Sequence, residues 1–291
     1  MATIPGGHFQ LTAHETVHVV ETATGKGVGG AVSGDFNVEL FVGLQANAPK
    51  SPAAGFEGLA VLSPSGHQLD LISGKFAATD TGSHDTIGAY GTGETISGGA
   101  AAVTLNLFGS NDTAIGGAGH DTIGVLGNHD SVSGGAGHDS ITVLGNHDSV
   151  SGGAGADSIR VFGTHDTVSA GAGGDSVSVF GGHDSVVLAS GHDTVNVSGS
   201  HDTVSAGGNA HVTFGGTHET LADSAAKFAD TVVGFSQSAG DKIQLTGGDT
   251  AASALAHSKQ VNGGHDTLIT LNDGSTILLK GISSINSHFF S

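Results

Sequence analysis

An aspartate recurs every nine residues through the middle of the chain, and this period constrains the fold more than any other feature of the sequence. The repeated positions are Asp112, Asp121, Asp130, Asp139, Asp148, Asp157, Asp166, Asp175, Asp184, Asp193 and Asp202. The same period reaches Glu94 and Asp85 towards the N-terminus, with a gap at Val103. A fixed period that continues over so many copies predicts a solenoid, in which each repeat packs against its neighbours.

Two versions of the nonapeptide alternate, so the structural unit is a coil of eighteen residues. One version begins with two glycines, as in Gly116-Gly-Ala-Gly-His-Asp-Thr-Ile-Gly124, and its turn defines the glycine-rich side of the coil. The other begins with apolar residues, as in Val125-Leu-Gly-Asn-His-Asp-Ser-Val-Ser133, and its turn defines the histidine side. Each coil is therefore predicted to contain two turns and two strands.

The strands of the coil show a two-residue alternation of apolar and polar side chains. Ile141 and Val143 point to one face, and Ser140 and Thr142 point to the other. Stacked coils would form two apolar ladders, namely Ile123, Ile141, Ile159, Val177 and Val195, and opposite them Val132, Val150, Val168, Val186 and Val204. The predicted fold is all-β, a parallel β-roll with a thin core.

The repeated aspartates need positive charge from outside the chain. On one side of the roll they are expected to lie about one strand spacing apart, roughly 4.8 Å, where carboxylates repel each other. A role as turn hydrogen-bonders explains a single aspartate but not a row of them. Between Asp80 and Ala226 the only Lys or Arg is Arg160. Hard divalent cations bind oxygen ligands, and Ca²⁺ tolerates the irregular geometry of turns, so Ca²⁺ is the predicted cofactor.

The glycine-rich version matches the pattern Gly-Gly-x-Gly-x-Asp-x-U-x and resembles the calcium-binding repeat of RTX (hemolysin-type) proteins. The resemblance implies that carbonyls of the glycine turn and carboxylates of successive coils hold Ca²⁺. The ligands implied on the glycine-rich side are Asp112, Asp121, Asp139, Asp157, Asp175, Asp193, Gly117, Gly119, Gly135, Gly137, Gly153 and Gly155. A second candidate set on the histidine side is Asp130, Asp148, Asp166, Asp184 and Asp202.

On the histidine side, a histidine precedes the aspartate in five successive coils. These residues are His129, His147, His165, His183 and His201, whereas the same position on the glycine-rich side varies. Three interpretations are open. The imidazole is an outward residue hydrogen-bonded to a neighbouring aspartate, or it is a counter-charge that appears in mild acid, or it binds Zn²⁺, Cu²⁺ or Ni²⁺ along the stack.

The C-terminal section contains the segments Phe228–Phe235 and Gly240–Leu245 and ends in the apolar stretch Asn286–Ser291. Together they resemble the part that follows the repeats in serralysin-type and related RTX proteins. The resemblance implies export by a type I secretion system that recognises an uncleaved C-terminal tail. A hairpin is predicted from 264–271 and 276–279 across the turn at 272–275.

The predicted domains are a β-rich N-terminal module at 1–78 for capping or assembly, the calcium-binding β-roll at 79–222, and a C-terminal β cap with the secretion signal at 223–291. Within the N-terminal module a strand is predicted at 36–42, and a hairpin from 59–62 and 69–72. A bare terminal coil would expose both ladders and an open strand edge, which is why a cap is expected.

Two motifs in the N-terminal module match enzyme signatures. His14-Glu-Thr-Val-His18 has the zinc-peptidase spacing, but that chemistry needs a helix and the flanking residues are β-branched. Gly25-Lys-Gly-Val-Gly-Gly30 fits a nucleotide-binding pattern, yet with 51 glycines in the chain such a match has little weight. Neither motif is expected to carry activity.

The charge of the chain limits its partners. The formal net charge is −19, which disfavours nucleic acid and anionic membranes. The absence of cysteine excludes disulfides, so bound metal is expected to supply folding energy. No apolar stretch is long enough for membrane insertion, and the first residues lack the pattern of a Sec signal.

These features predict a secreted, extracellular or cell-surface structural protein, which is not an enzyme. It would fold on Ca²⁺ after export and self-associate as surface-layer, matrix or fibre material, or act as an adhesin. One alternative is a small hydrolase or metallopeptidase that uses the roll as a secretion module. Another is ligand or ice binding by the hydroxyl row of Thr122, Ser140, Ser158, Ser176 and Thr194.

Overall fold

The computed structural model describes residues 2–3, 9–12, 17–21, 36–42, 58–62, 68–73, 77–80, 82, 84–223 and 228–291. It describes side chains at 68–71, 77–80, 82, 84–222 and 228–291. The chain forms two compact units, Met1–Gly145 and Asn146–Ser291. Each unit contains a parallel β-solenoid, so the predicted all-β roll with eighteen-residue coils is confirmed. None of the helices among these residues is long and apolar enough to cross a membrane.

Strands of the first unit form two sheets. Their bounds are β1 Ala2–Thr3, β2 Phe9–Thr12, β3 Val17–Glu21, β4 Phe36–Val42, β5 Gly58–Leu62, β6 Gln68–Ser73, β7 Ala77–Asp80, β8 Asp85–Ala89, β9 Thr95–Ser97, β10 Val103–Phe108, β11 Thr113–Ala118, β12 Thr122–Leu126, β13 Ser131–Ala136 and β14 Ser140–Leu144. In one sheet β7, β9, β11 and β13 are parallel, with β2 and then β1 added antiparallel. In the other, β6, β8, β10, β12 and β14 are parallel.

The second unit repeats this arrangement. Its strands are β15 Ser149–Ala154, β16 Ser158–Thr164, β17 Thr167–Ala172, β18 Ser176–Gly182, β19 Ser185–Val187, β20 Thr194–Ser200, β21 Thr203–Ala206, β22 His211–Phe214, β23 Thr220–Asp223, β24 Ala229–Val233, β25 Lys242–Gln244, β26 Ser258–Val261, β27 Asp266–Thr270 and β28 Thr276–Leu279. The odd-numbered strands β15 to β25 form one parallel sheet, and the even-numbered strands β16 to β24 form another. A short helix, α1, covers Ala251–Ala256.

Each coil contributes buried apolar side chains to ladders in both sheets, and the sheet of the even-numbered strands has a second ladder that includes Val125 and Val143. In the first unit Ile123 is paired with Ile141, and both side chains are fully buried. In the second unit Val177 pairs with Val195, and Val168 lies in register with Val186 on the other sheet. β12, β14 and the first five residues of β18 alternate buried and outward residues, as the sequence predicts. The ladders therefore form a core that is one side chain thick on each sheet.

The C-terminal residues pack onto the second unit. β27 and β28 form the predicted antiparallel hairpin, and β28 continues the sheet beside β24. The ring of Phe235 lies 6.0 Å from the rings of both Phe214 and Phe289. Phe289 and Phe290 are buried, and the main-chain N–H of Ser291 donates to the carbonyl of Ile243. The final apolar residues are thus part of the folded core.

Several N-terminal predictions can be compared with the structure. β4 confirms the strand predicted at 36–42, and the antiparallel pairing of β5 with β6 confirms the hairpin. His18 lies in β3, so the second half of the His-Glu-x-x-His motif is extended. His14, Glu15 and the glycines at 25–30 lie outside the described residues. The domain boundaries remain a prediction.

Exposed apolar residues follow one another along the outer face of the sheet that contains β12 in the first unit, and along the outer face of the sheet that contains β16 in the second unit. In the first unit, the last outward residues of four successive coils are Tyr90, Phe108, Leu126 and Leu144. In the second unit, the corresponding residues are Phe162 and Phe180. Their exposed fractions lie between 38% and 51%. The rings of Tyr90 and Phe108 stack at 5.0 Å, and those of Phe162 and Phe180 at 4.9 Å. We call these residues the outer apolar row.

The alternation on β14 predicts how two neighbouring apolar residues contribute to stability. Ile141→Ala is expected to lower the free energy of unfolding of the calcium-loaded protein by about 2–5 kcal/mol, because Ile141 is fully buried. Leu144→Ala removes a side chain that is 43% exposed, and the expected loss is below about 0.5 kcal/mol. Urea unfolding followed by circular dichroism measures both. Equal losses would contradict the orientation of β14.

Candidate metal centre

Glycines of the glycine-rich turn are required by the close approach of neighbouring coils. Gly119 and Gly137 have φ angles of 134° and 141°, which side-chain-bearing residues rarely adopt. A Cβ on Gly137 would lie 1.3 Å from the carbonyl oxygen of Gly119, one coil earlier. The turns therefore stack main chain on main chain, and their carbonyl oxygens are brought together.

On the histidine side, the residue before the carboxylate has a left-handed backbone. His129 has a φ of 61°, and His165 and His183 have 63° and 61°. All residues at this position in the described coils share the conformation, namely Gly93, Asn111, His129, His147, His165, His183, His201, His218 and Gly240. Asn, His and Gly tolerate positive φ better than most residues. On the glycine-rich side, His84 also has a positive φ of 59°, whereas His120 and His138 are not among the described residues with positive φ, so the left-handed backbone is not common to all turns of that side.

Within each unit the carboxylates form two columns, one at each turn. The glycine-side column consists of Asp85, Asp121 and Asp139 in the first unit and Asp157, Asp175, Asp193 and Asp230 in the second. The histidine-side column consists of Glu94, Asp112 and Asp130 in the first unit and Asp148, Asp166, Asp184, Asp202, Glu219 and Asp241 in the second. No carboxylate in either column is more than 3% exposed.

The structure corrects the placement of Asp112, which the sequence analysis assigned to the glycine-rich side. Its main-chain N–H donates to Oδ1 of Asp130, eighteen residues later, at 2.8 Å. Asn111 before it has the left-handed backbone of the histidine side. Asp112 therefore belongs to the histidine-side column, and the nine-residue period alone does not show which side a residue occupies.

One oxygen of most of these carboxylates joins adjacent coils, and Glu94 is an exception. Oδ1 of Asp121 accepts from the main-chain N–H of Val103 at 2.9 Å, and Oδ1 of Asp175 accepts from that of Asp157 at 2.8 Å. The histidine side has the same bond, for example from the N–H of Asp166 to Oδ1 of Asp184 at 2.8 Å. These hydrogen bonds fix the register of the coils, and they use one of the two oxygens of each carboxylate concerned.

The second oxygen of many of these carboxylates is buried without a hydrogen-bond donor. Within the part of the chain that the structure describes, this applies to Oδ2 of Asp112, Asp121, Asp166, Asp175, Asp184, Asp193 and Asp202, to Oε1 of Glu219 and to both oxygens of Glu94. A buried carboxylate oxygen without a partner is costly. Buried oxygens of this kind, repeated from coil to coil, fit a bound cation.

Main-chain carbonyls lie beside these unpartnered oxygens on both sides of the roll. A Cβ on Gly116 would lie 2.4 Å from Oδ2 of Asp121 and 2.4 Å from the carbonyl oxygen of Gly134. On the histidine side, a Cβ on Gly216 would lie 2.2 Å from Oε1 of Glu219 and 2.0 Å from the carbonyl oxygen of Gly199. Carboxylate and carbonyl oxygens therefore line the same small space at each turn.

Burial raises the pKa of several column carboxylates, and repulsion between neighbours adds to the rise for some of them. Burial is the larger cause of the rise in the pKa of Glu94 to about 8, and the charge of Asp112 adds to it. Burial raises the pKa of Asp184 to about 7, with a further contribution from the charges of its column neighbours, and that of Glu219 also to about 7. On the glycine side the pKa of Asp175 rises to about 6 for the same reasons. Without a bound cation, these carboxylates of both columns therefore stay protonated to a higher pH than ordinary carboxylates do.

The residues present fit Ca²⁺. This ion takes six to eight oxygen ligands from carboxylates, carbonyls and water and accepts irregular geometry. No three side chains of His, Asp or Glu converge on one point among the described residues, so most ligands of a bound cation would be main-chain carbonyls and water. Bound Ca²⁺ would supply the positive charge that the unpartnered oxygens lack.

The imidazoles of the histidine side lie outside the columns. Each of these histidines is exposed, although the carboxylate that follows it is buried. For His165, His183 and His201, the described structure contains no hydrogen bond from the imidazole to a neighbouring carboxylate. The first interpretation of the histidine ladder, hydrogen bonding to aspartate, therefore does not apply to these three residues. The left-handed backbone at this position favours residues that tolerate positive φ, and histidine is one of them.

The raised pKa values predict that acid stabilises the roll when metal is absent. Between about pH 4 and about pH 7 the folded chain binds more protons than the unfolded chain, so the free energy of unfolding decreases as the pH rises through this window. Thermal unfolding of protein dialysed free of metal should show the highest midpoint near the acidic end. The calcium-loaded protein should show the opposite trend, because calcium binding requires deprotonated carboxylates. A metal-free midpoint that increases with pH would contradict the burial of the columns.

Carboxylate-to-amide variants test whether both columns hold calcium. Asp175→Asn and Asp184→Asn keep an acceptor for the N–H groups of Asp157 and Asp166 but remove the buried negative charge. Each is expected to weaken calcium binding at its site by more than about tenfold and to stabilise the metal-free roll at neutral pH. Isothermal titration calorimetry counts the bound ions.

The matched control for these variants is Asp249→Asn, because Asp249 lies outside both columns and accepts from Ser253 and Asn272. It should leave the ion count unchanged. A lower count for Asp175→Asn but not for Asp184→Asn would restrict calcium to the glycine-rich side.

The comparison with family models agrees with this geometry. The model for the RTX calcium-binding nonapeptide repeat (4 copies) matches residues 89–123, 126–159 and 161–195. A comparison with curated protein sequences finds no significant match. The matched residues include turns of both sides of the roll, and the repeat is a calcium-binding motif, so Ca²⁺ is the cofactor of these turns. Residues 89–195 therefore contain RTX calcium-binding nonapeptide repeats, and the parallel β-roll that these repeats form fits an RTX repeat protein.

Proposed function

We propose that this chain is a secreted structural protein whose roll folds when it binds Ca²⁺ after export. The observation that carries the proposal is the set of buried, unpartnered carboxylate oxygens in both columns. Arg160 is the only Arg or Lys among residues 84–223, and its side chain is exposed. At neutral pH the metal-free roll therefore has buried negative charge that the chain itself does not neutralise.

The calcium gradient across the cell envelope would then decide where the chain folds. Extracellular calcium sites have dissociation constants of about 10⁻⁴ to 10⁻³ M, far above cytosolic calcium. A ligand that binds only the folded state stabilises it according to its concentration. Inside the cell, the carboxylates of each column would repel one another and the chain would stay unfolded. Outside the cell, Ca²⁺ would bind and drive folding.

Burial of the C-terminal residues supports export before folding. Phe289 and Phe290 are 4% and 9% exposed, and Phe290 forms a bridge with Ile243. A type I exporter that recognises this tail could reach it only in the unfolded chain. RTX repeat proteins are generally exported, and the proposed destination is the extracellular space or the cell surface.

The outer apolar row supports a role in self-association, as surface-layer, matrix or fibre material or in an adhesin. Tyr90, Phe108, Leu126 and Leu144 form a continuous exposed stripe in the first unit. Contiguous exposed apolar residues commonly mark interaction sites. Bound calcium would reduce the large negative charge that otherwise keeps copies of the chain apart. Assembly and folding would therefore depend on the same ion.

The row of hydroxyl groups favours a second candidate, the binding of a regular ligand lattice such as ice. Thr122 and Ser140 are in register and exposed in the first unit, and Ser176 and Thr194 are so in the second. A thermal hysteresis assay distinguishes this function from self-association, because self-association predicts no depression of the freezing point beyond that of the solutes.

A calcium titration from metal-free protein at neutral pH is the decisive experiment. Far-UV circular dichroism should show a cooperative gain of β signal, and negative-stain electron microscopy of the same samples should show filaments or sheets only after folding. Full β signal without metal would overturn calcium-gated folding. Dispersed folded particles at all concentrations would overturn the role in self-association.

A variant of the outer apolar row separates folding from assembly. The double substitution Leu126→Ser and Leu144→Ser should fold with the same calcium midpoint, because both side chains point outward, but should assemble at least about tenfold less. The control Thr122→Ser and Thr142→Ser changes outward residues of the same strands outside the row. Equal assembly of the two variants would exclude the row as the contact.

A further inference from the structure

We propose that a column of stacked imidazoles in the second unit binds Zn²⁺, Ni²⁺ or Cu²⁺, at a site separate from the calcium columns. The imidazole column consists of His147, His165, His183, His201 and His218, one residue from each of five successive coils. It extends the predicted ladder by His218, which precedes a glutamate rather than an aspartate.

The coils hold the imidazoles at a constant spacing. Ring centres of neighbouring histidines lie 4.8 to 5.0 Å apart throughout the column. The backbone of each histidine is fixed in the left-handed region, with φ between 60° and 63°. All five side chains are exposed, so their rings face solvent and can rotate. The fold thus supplies a linear, preorganised array of nitrogen donors.

This spacing suits a cation held by two neighbouring rings. A metal–nitrogen bond to histidine is about 2.0–2.1 Å, so two nitrogens on one ion lie up to about 4 Å apart. Neighbouring rings need only tilt towards each other to reach that distance. Because no three His, Asp or Glu side chains converge among the described residues, water would complete the coordination of each ion.

Ligand chemistry separates this site from the calcium columns. Imidazole suits Zn²⁺, Cu²⁺ and Ni²⁺, whereas Ca²⁺ prefers oxygen. Negative charge lies directly beneath the column, since Asp202 interacts electrostatically with His183 and His201, and Asp166 with His147. These carboxylates would attract cations to the imidazoles. The two kinds of ion would occupy opposite faces of the same turn.

The left-handed backbone alone does not account for histidine at every position of the column. Asn111 occupies the equivalent position in the first unit with a φ of 61°, and Gly93 and Gly240 also adopt positive φ there. Asparagine would therefore satisfy the backbone equally well. The backbone conformation therefore does not require histidine in all five coils, whereas metal binding between neighbouring coils does.

Cu²⁺ and Ni²⁺ added to the calcium-saturated full chain provide the test. Isothermal titration calorimetry with Ni²⁺ measures affinity and stoichiometry, and electron paramagnetic resonance with Cu²⁺ reports how many nitrogens bind each ion. The test variant combines His165→Asn, His183→Asn and His201→Asn, which should keep the turn conformation. It is expected to bind Ni²⁺ at least about tenfold more weakly, and to lose the signal of two nitrogens per Cu²⁺.

The matched control combines His192→Asn, His257→Asn and His265→Asn, three exposed histidines outside the column. It should retain the affinity and the two-nitrogen signal. Equal affinities in the test and control variants, or a single nitrogen per Cu²⁺ in the unchanged protein, would overturn the proposal. Circular dichroism in calcium verifies folding of every variant.

A single substitution covers the case in which the triple variant does not fold. His201→Asn removes the imidazole that pairs with His183 and with His218. With two imidazoles per ion the five histidines hold at most two ions, and after this substitution His147, His165 and His183 can hold only one, so the number of tightly bound ions should decrease. An unchanged ion number in this folded variant would also overturn the proposal.

Discussion

Burial of negative charge in two columns is the constraint on which the rest of the structure depends. Most coils add a carboxylate to each column. Each of these groups is removed from water and lies near its neighbours, and the pKa of Asp184 rises to about 7 as a result. A main-chain N–H satisfies one oxygen of the group, and the other faces carbonyl oxygens. A bound cation would neutralise the charge of that remaining oxygen, so we expect folding and calcium binding to be coupled.

The same carboxylate has two tasks that require different chemistry. Oδ1 joins neighbouring coils through a hydrogen bond of about 2.8–3.0 Å, which an asparagine could also accept. Oδ2 needs negative charge to bind a hard cation. The glycines at the turns serve both tasks, since a side chain at Gly116 would occupy the space between Asp121 and the next coil. The joining of coils and the binding of a cation therefore account for both the aspartates and the glycines at these positions.

Sequence periodicity predicted the coil length, the apolar ladders and both hairpins, because these follow from stacking and two-residue alternation. It misplaced Asp112, since a nine-residue step changes sides and only an eighteen-residue count from Asp130 shows the column. The outer apolar row was not recognised because Leu126 and Leu144 follow inward valines and look like the end of a core run; strict alternation would have shown that they point outward. Positive φ at the histidines and the burial of Phe289 depend on three-dimensional packing that the pattern does not encode.

Adjacent residues of one turn have opposite environments, and this couples the two proposed metal sites. His183 is exposed whereas Asp184 is buried, so the outer and inner sites share a backbone but no ligand. In the unfolded chain, neighbouring histidines of the column are separated by a loop of seventeen or eighteen residues, and closing each loop costs entropy. Calcium would remove that cost by folding the coils, so it would increase the affinity of the imidazoles for transition metals. By thermodynamic linkage, a metal bound to the imidazole column would strengthen calcium binding by the same factor.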